Sequence, residues 1–86
     1  MWMLSQNKKM LTNGQLTFII DYYVDENNKK EYYIMLNDFS VAKYSTYKFA
    51  EYVLIKLVEY LNKSENKAFK FPNEEQVLEM IKNDSN

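Results

Sequence analysis

The chain has 86 residues and contains no cysteine and no histidine. This composition excludes serine or cysteine nucleophiles activated by histidine, and it excludes zinc, haem and iron–sulfur sites built on those two residue types. All 11 basic residues are lysine, 12 residues are acidic, and the net charge is −1. This balance gives no overall electrostatic attraction to nucleic acid or to anionic membranes.

The length allows one domain, which we expect to span residues 1–86. With 47% hydrophobic and 16% aromatic residues, the composition is far from that of a disordered chain. No apolar run reaches the roughly 20 residues of a membrane span. The polar run Ser5-Gln6-Asn7-Lys8 also interrupts the apolar opening before a secretory segment can form. We therefore expect a folded cytoplasmic protein with no membrane-spanning segment.

The first half of the chain alternates with the period of two that is typical of β-strands. Apolar or aromatic side chains occupy the even positions of residues 16–24 and of residues 31–37, and a polar, asparagine-rich turn joins the two runs. The even positions of both strands share a face only if the loop has an odd length. We expect a three-residue loop, Asn27–Lys29, that pairs Val24 with Tyr32.

Shorter strands are predicted on both sides of this hairpin. Upstream, apolar runs at Trp2–Ser5 and Met10–Thr12 flank a polar stretch, and Asn13-Gly14 is a strong turn signal. Downstream, a fifth short strand, Val41–Tyr44, follows the Asn37-Asp38 turn. Together these segments predict an antiparallel meander.

The period then changes to 3.6 residues, which predicts a long helix from a cap at Ser45 or Thr46 to about Asn62. One arc of this helix is apolar. Its members are Tyr47, Ala50, Val53, Leu54, Leu57, Val58 and Leu61. The regularity of the arc indicates that the helix packs against the sheet.

The last third of the chain predicts a second, shorter helix. After a polar linker, Asn62–Lys67, the run Ala68–Phe71 is a candidate edge strand, and Asn73 then begins the helix with Gln76 as its capping-box partner. We expect Asp84–Asn86 to fray. The predicted fold class is α+β: an antiparallel β-meander of four to five strands with one long helix packed on one face and a short C-terminal helix.

Acidic residues are the remaining groups with catalytic or metal-binding potential. Five lie on or near the predicted sheet and its turns: Asp21, Asp25, Glu26, Glu31 and Asp38. A pair could act as general acid and base, and oxygen ligands could hold Ca²⁺ or Mg²⁺. No motif supports either role, because the stretch after Asp25 lacks the glycine and distal glutamate of an EF-hand loop. We expect solvated charges, and no catalytic residues, cofactor or metal.

Lysine alternates with aromatic residues between the sheet and the long helix. In this stretch Tyr44 could stack on a base while Lys43 and Lys48 meet phosphates. Single-stranded nucleic-acid binding through these three residues is therefore the alternative function, although the apolar arc takes neighbouring Tyr47 toward the core.

The most informative feature is the second face of the predicted sheet. If the even positions face the long helix, the odd positions form a cross-strand cluster on the other side. Its members are Ile19, Tyr23, Tyr33 and Met35. Tyr52 and Tyr60 add aromatic surface outside the apolar arc of the helix. The terminal strands or helix could cover one of these surfaces more easily than both. Because aromatic residues and methionine are enriched at interfaces, we expect these six residues to bind a protein partner, with homodimerisation expected.

A resemblance adds a genomic setting. The chain resembles small uncharacterised proteins of low-GC Gram-positive bacteria and their phages. The resemblance lies in a strand-rich middle and in four segments: the opening Met1-Trp2-Met3-Leu4-Ser5-Gln6-Asn7-Lys8, then Leu11-Thr12-Asn13, then Ala42-Lys43-Tyr44-Ser45-Thr46 before the helix, and Phe69-Lys70-Phe71-Pro72. The resemblance is one of pattern over most of residues 1–72, and the tyrosine-rich hairpin and acidic tail depart from it. It implies a compact phage or mobile-element accessory protein and carries over no functional residue. We expect a non-catalytic module that inhibits or modulates a larger protein machine.

Overall fold

The computed structural model describes residues 1–63 and 68–84. Five antiparallel strands form one sheet in the order of the chain. They are β1 (Met3–Leu4), β2 (Met10–Thr12), β3 (Thr17–Val24), β4 (Lys30–Leu36) and β5 (Phe39–Tyr44). Two helices follow, α1 (Tyr47–Asn62) and α2 (Glu74–Asp84). The predicted α+β class and the five-strand meander are confirmed.

The β3–β4 hairpin has the predicted side-chain faces but a different register. Val24 pairs with Lys30, and Tyr22 pairs with Tyr32, so the predicted pairing of Val24 with Tyr32 is wrong by two residues. The turn is centred one residue earlier than predicted, at Asn27, because the Asp25 carboxylate accepts hydrogen bonds from the backbone N–H groups of Asn27 and Lys29, at 2.8 and 2.9 Å. A shift by two residues keeps each side chain on its own face.

Positive backbone dihedrals mark the other turns. Gly14 has φ = 94°, and Asn37, in the two-residue link between β4 and β5, has φ = 53°. Glycine and asparagine tolerate this left-handed region best. These residues therefore allow the tight returns that keep successive strands adjacent.

Both helices begin at the caps that the sequence predicts. The Thr46 side chain accepts a hydrogen bond from the Phe49 N–H, and Asn73 and Gln76 exchange the two bonds of a capping box, each at 2.9 Å. The run Ala68–Phe71, a candidate edge strand from the sequence, is not a strand. It packs its aromatic rings instead, since Phe71 lies 6.3 Å from Phe18 between ring centroids. Most of the predicted linker, residues 64–67, lies outside the described residues.

The core lies entirely between the sheet and the helices. Its buried residues are Leu11, Phe18, Ile34, Tyr44, Ala50, Val53, Leu54, Leu57 and Val77. The strand members project from one side of the sheet, which we call the inner face, and α1 and α2 supply the rest. The opposite side is the outer face. The structure is thus a two-layer arrangement in which one sheet face is packed.

Candidate protein-binding face

The outer face carries a row of apolar side chains across its three central strands. Met10 pairs with Ile19, and Ile19 pairs with Met35, so the three side chains lie next to one another. Met3 extends the apolar area onto β1 and is 61% exposed. We call the row Met10–Ile19–Met35 the apolar stripe.

Two tyrosines continue this surface beyond the apolar stripe. The rings of Tyr23 and Tyr33 meet edge to face with their centroids 5.3 Å apart. The Tyr33 hydroxyl donates a 2.8 Å hydrogen bond to Glu31. This bond, with some desolvation, raises the pKa of Tyr33. The Lys43 ammonium lies 4.0 Å from the Glu31 carboxylate. Polar groups therefore border the apolar surface at its tyrosine end.

In the part of the chain that the structure describes, no element covers the outer face. The N-terminal strands extend the sheet sideways, with Met3 opposite Thr12, and they add methionines to the face instead of shielding it. The C-terminal helix packs on the other side, where Val77 joins the core. Ile19 remains 37% exposed and Tyr23 55% exposed. The predicted cluster of Ile19, Tyr23, Tyr33 and Met35 is thus assembled and open.

The two helix tyrosines proposed as binding residues lie elsewhere. Tyr52 donates its hydroxyl hydrogen to Asp84 of α2, and the Tyr60 ring meets Phe69 at 5.4 Å. Both tyrosines are half-buried on α1, which packs on the inner face. They hold the C-terminal segment against the helix, so the structure does not bring them together with the outer-face cluster.

The residues of the nucleic-acid alternative do not form a stacking surface. Tyr44 is 1% exposed, and its hydroxyl donates a 2.6 Å hydrogen bond to the Pro72 carbonyl. Burial, with a smaller contribution from nearby Glu74, raises the pKa of Tyr44 to about 12. The prediction that Tyr44 stacks on a base is therefore wrong, because the ring belongs to the core. Lys43 lies on the outer face and Lys48 on α1, each exposed.

Carboxylates near the sheet are engaged by the backbone. Asp21 accepts a 2.8 Å bond from the N–H of Tyr22, and Asp25 closes the hairpin turn as described above. Within residues 1–63 and 68–84, no group of three acidic side chains could hold a metal ion. The same residues include no helix that is long and apolar enough to cross a membrane.

Sequence reasoning missed a second concave surface, on the inner face beside the end of the β3–β4 hairpin. Tyr22, Tyr32 and Tyr47 form its aromatic wall, and Lys9 and Lys30 also line it. These five residues come from four parts of the chain. In the sequence, the two Lys-Lys pairs at residues 8–9 and 29–30 indicate the positive charge of this surface. The strand order is needed to show that one lysine of each pair lines the same groove.

Comparisons with known proteins give no match: no protein-family model, curated protein or solved structure corresponds to this chain.

Proposed function

We propose that this protein is a non-catalytic protein-binding module whose outer sheet face is the binding surface. The observation that carries the proposal is the apolar stripe, which crosses three strands and has no cover among the described residues. An antiparallel sheet packed on one face ordinarily carries polar residues on the other. Apolar patches of this kind are typical of interaction sites.

We propose that the partner bound at the outer face is a second copy of the chain, because the shape of the stripe fits a two-fold axis. An axis running along Met10, Ile19 and Met35 brings each of these side chains against its own counterpart, which satisfies the reciprocity of an isologous interface. The same rotation sends Asp21 and Glu31 of the two copies to opposite ends of the paired sheets, which keeps like charges apart. Face-to-face sheets pack about 10 Å apart, a separation that interdigitated side chains of this size fill.

The area of the face sets the expected strength of this contact. The sheet is five strands wide, and its longest strand has eight residues. With about 4.8 Å per strand and about 3.3 Å per residue, the rectangle that encloses the sheet is roughly 600 Å², and the shorter strands reduce the covered area to roughly 400–500 Å². Two copies would then bury on the order of 1,000 Å², which is near the lower limit for a specific interface. The dimer should therefore be weak and concentration-dependent.

Because the dimer is weak, a larger protein partner can replace the second copy on the outer face. The small size of the chain and its resemblance to phage and mobile-element accessory proteins support a role in inhibiting or modulating a larger protein machine, on grounds of association. In that role, dimerisation would keep the apolar face buried until the larger partner displaces the second copy.

The decisive experiment measures mass by sedimentation equilibrium from about 10 µM to about 1 mM protein, the range in which weak association appears. The native chain should shift from monomer toward dimer, and Ile19→Lys, which inserts a charge into the apolar stripe, should remain monomeric. Combining Tyr23→Ala with Tyr33→Ala should weaken the dimer without abolishing it, because the tyrosines lie beyond the stripe.

The matched control is Leu78→Lys, which makes the same type of change at an exposed leucine of α2. This variant should dimerise as the native chain does. A native chain that is monomeric throughout the range, or an Ile19→Lys variant that dimerises like Leu78→Lys, would overturn the assignment. Far-UV circular dichroism of each variant reports that the fold is retained.

A further inference from the structure

A groove of about 490 Å³ lies on the inner face where the β3–β4 hairpin extends past the helices. Its volume falls in the range of about 300–1,000 Å³ that is typical of small-molecule sites. The turn between β1 and β2 forms one wall, the hairpin forms the floor, and the first turns of α1 form the other wall. The groove is on the opposite side of the sheet from the apolar stripe.

Three tyrosine rings follow one another along this groove. The ring centroids of Tyr22 and Tyr32 are 6.1 Å apart, and those of Tyr32 and Tyr47 are 6.0 Å apart. Tyr22 is 55% exposed, so one ring at the end of the row is open to a ligand. Such a row offers π-faces and ring edges over the length of more than one planar group.

A lysine ammonium lies over the tyrosine at each end of the row. Lys30 Nζ is 5.3 Å from the centre of the Tyr22 ring, and Lys9 Nζ is 5.9 Å from the centre of the Tyr47 ring. Neither ammonium has a carboxylate within 4.0 Å among the described residues. Both positive charges therefore remain available to an anion.

Two acidic residues border the groove. Asp21 pairs with Tyr33 across the hairpin, so its carboxylate belongs to the outer face, where it accepts the backbone N–H of Tyr22. Glu51 lines the groove near Tyr47, and its negative charge, after desolvation, contributes to raising the pKa of that tyrosine. The inner-face side of the groove therefore carries two lysines against one carboxylate, which leaves a net positive charge for a ligand.

We propose that this groove binds a short segment of single-stranded nucleic acid, with a base stacked on the tyrosine row and backbone phosphates on Lys9 and Lys30. Bases of any type stack on aromatic rings, and lysine neutralises phosphate as a point charge. The lysines flank the row at both ends, which fits a strand, since a strand carries a phosphate on each side of a base. The chain has no arginine and a net charge of −1, so the binding is weak. With two phosphate contacts, log K falls with log[salt] at a slope of only about −1.4.

The test titrates the native chain into a fluorescein-labelled ten-residue oligothymidine at low salt and follows fluorescence anisotropy. The double variant Lys9→Gln with Lys30→Gln should lose at least about tenfold in affinity and flatten the salt dependence. Tyr22→Ala should lose about fivefold or more, whereas Tyr22→Phe, which keeps the ring, should stay within about twofold of the native chain.

The matched control is Lys43→Gln with Lys48→Gln, which removes the same charge from exposed lysines outside the groove. This control should bind within about twofold of the native chain. Equal losses for the two double variants, or no anisotropy change for the native chain at low salt, would overturn the proposal. A parallel NMR titration with thymidine monophosphate tests whether the ligand is a strand or a free nucleotide. If chemical shifts change only at high millimolar nucleotide, the result supports binding of a strand. If thymidine monophosphate binds as tightly as the oligonucleotide, the site binds free nucleotides and the proposal of a strand is wrong.

Discussion

The two faces of the sheet are formed by the same strands, but one face is buried and the other is exposed. On β4, Ile34 is completely buried on the inner face, while its neighbour Met35 is half-buried on the outer face. On β3, Phe18 joins the core and Ile19 stays exposed. Alternate residues of one strand thus belong either to a packed interior or to an open surface, as the period of two requires.

The difference shows that the core uses the apolar residues of only one face of the sheet. Every buried residue of the described chain lies between the inner face and the helices. The stripe Met10–Ile19–Met35 could be polar without loss to that core, since its side chains lie on the face opposite the helices and do not belong to the core. Its apolar character is therefore unexplained by the folding of the monomer, and this is the physical reason for seeking its use in binding.

The largest expected effect separates the two faces directly. Ile34→Ala should lower the free energy of unfolding by about 2–4 kcal/mol, because it removes buried methyl groups and leaves a cavity. Met35→Ala, one residue along on the outer face, should cost less than about 1 kcal/mol. Urea denaturation followed by circular dichroism, at protein concentrations below those of any dimer, measures both changes. Similar losses at the two positions would mean that the outer face is packed in the monomer.

An intermediate effect is expected at Tyr44, where the inner face meets the chain before α2. Tyr44→Phe removes the hydroxyl that donates to the Pro72 carbonyl, so it should cost about 0.5–1.5 kcal/mol at pH 7. The raised pKa of about 12 adds a test in alkali. The neutral ring is favoured in the folded state, so native stability is lost as the pH rises from about 10 toward 12.

The pH series also contains its own control. Tyr44→Phe cannot ionise at this position, so its stability should fall less steeply than that of the native chain above pH 10. Parallel stability curves for the two proteins would show that the buried ring does not control the alkaline loss.

Local signals explain why much of the architecture was predictable. Alternation, the Asn13-Gly14 turn, the Thr46 cap and the Asn73–Gln76 capping box each act within a few residues, and the structure follows all of them. The hairpin register failed by two residues because the Asp25 side chain selected the turn closure. Alternation fixes only the parity of the pairing, and both closures have the same parity.

Long-range geometry explains what could not be predicted. The β-bulge opposite Ile34 and Met35 shifts the register of β5, and no local signal at Val41 announces it, so the inward direction of Tyr44 was not evident. The cation–π contact of Lys9 with Tyr47 joins segments separated by the whole hairpin, and that of Lys30 with Tyr22 crosses from one strand of the hairpin to the other. The outer-face cluster was accessible from sequence because parity alone places its four residues on one side.

The smallest expected effect concerns the contact between the end of α2 and α1. Asp84 accepts hydrogen bonds from Tyr52 and Lys56, and these, in that order, lower its pKa below the usual value of 3.8. A lowered carboxyl pKa stabilises the fold above about pH 4, and this contribution is lost as the pH falls through the folded-state value. Asp84→Asn should therefore reduce Tm by about 1–3 °C at pH 7 and have no effect near pH 2. Glu79→Gln, on the exposed side of the same helix, should leave Tm unchanged at both pH values. An equal loss for Asp84→Asn at both pH values would show that the charge of Asp84 does not hold the helix.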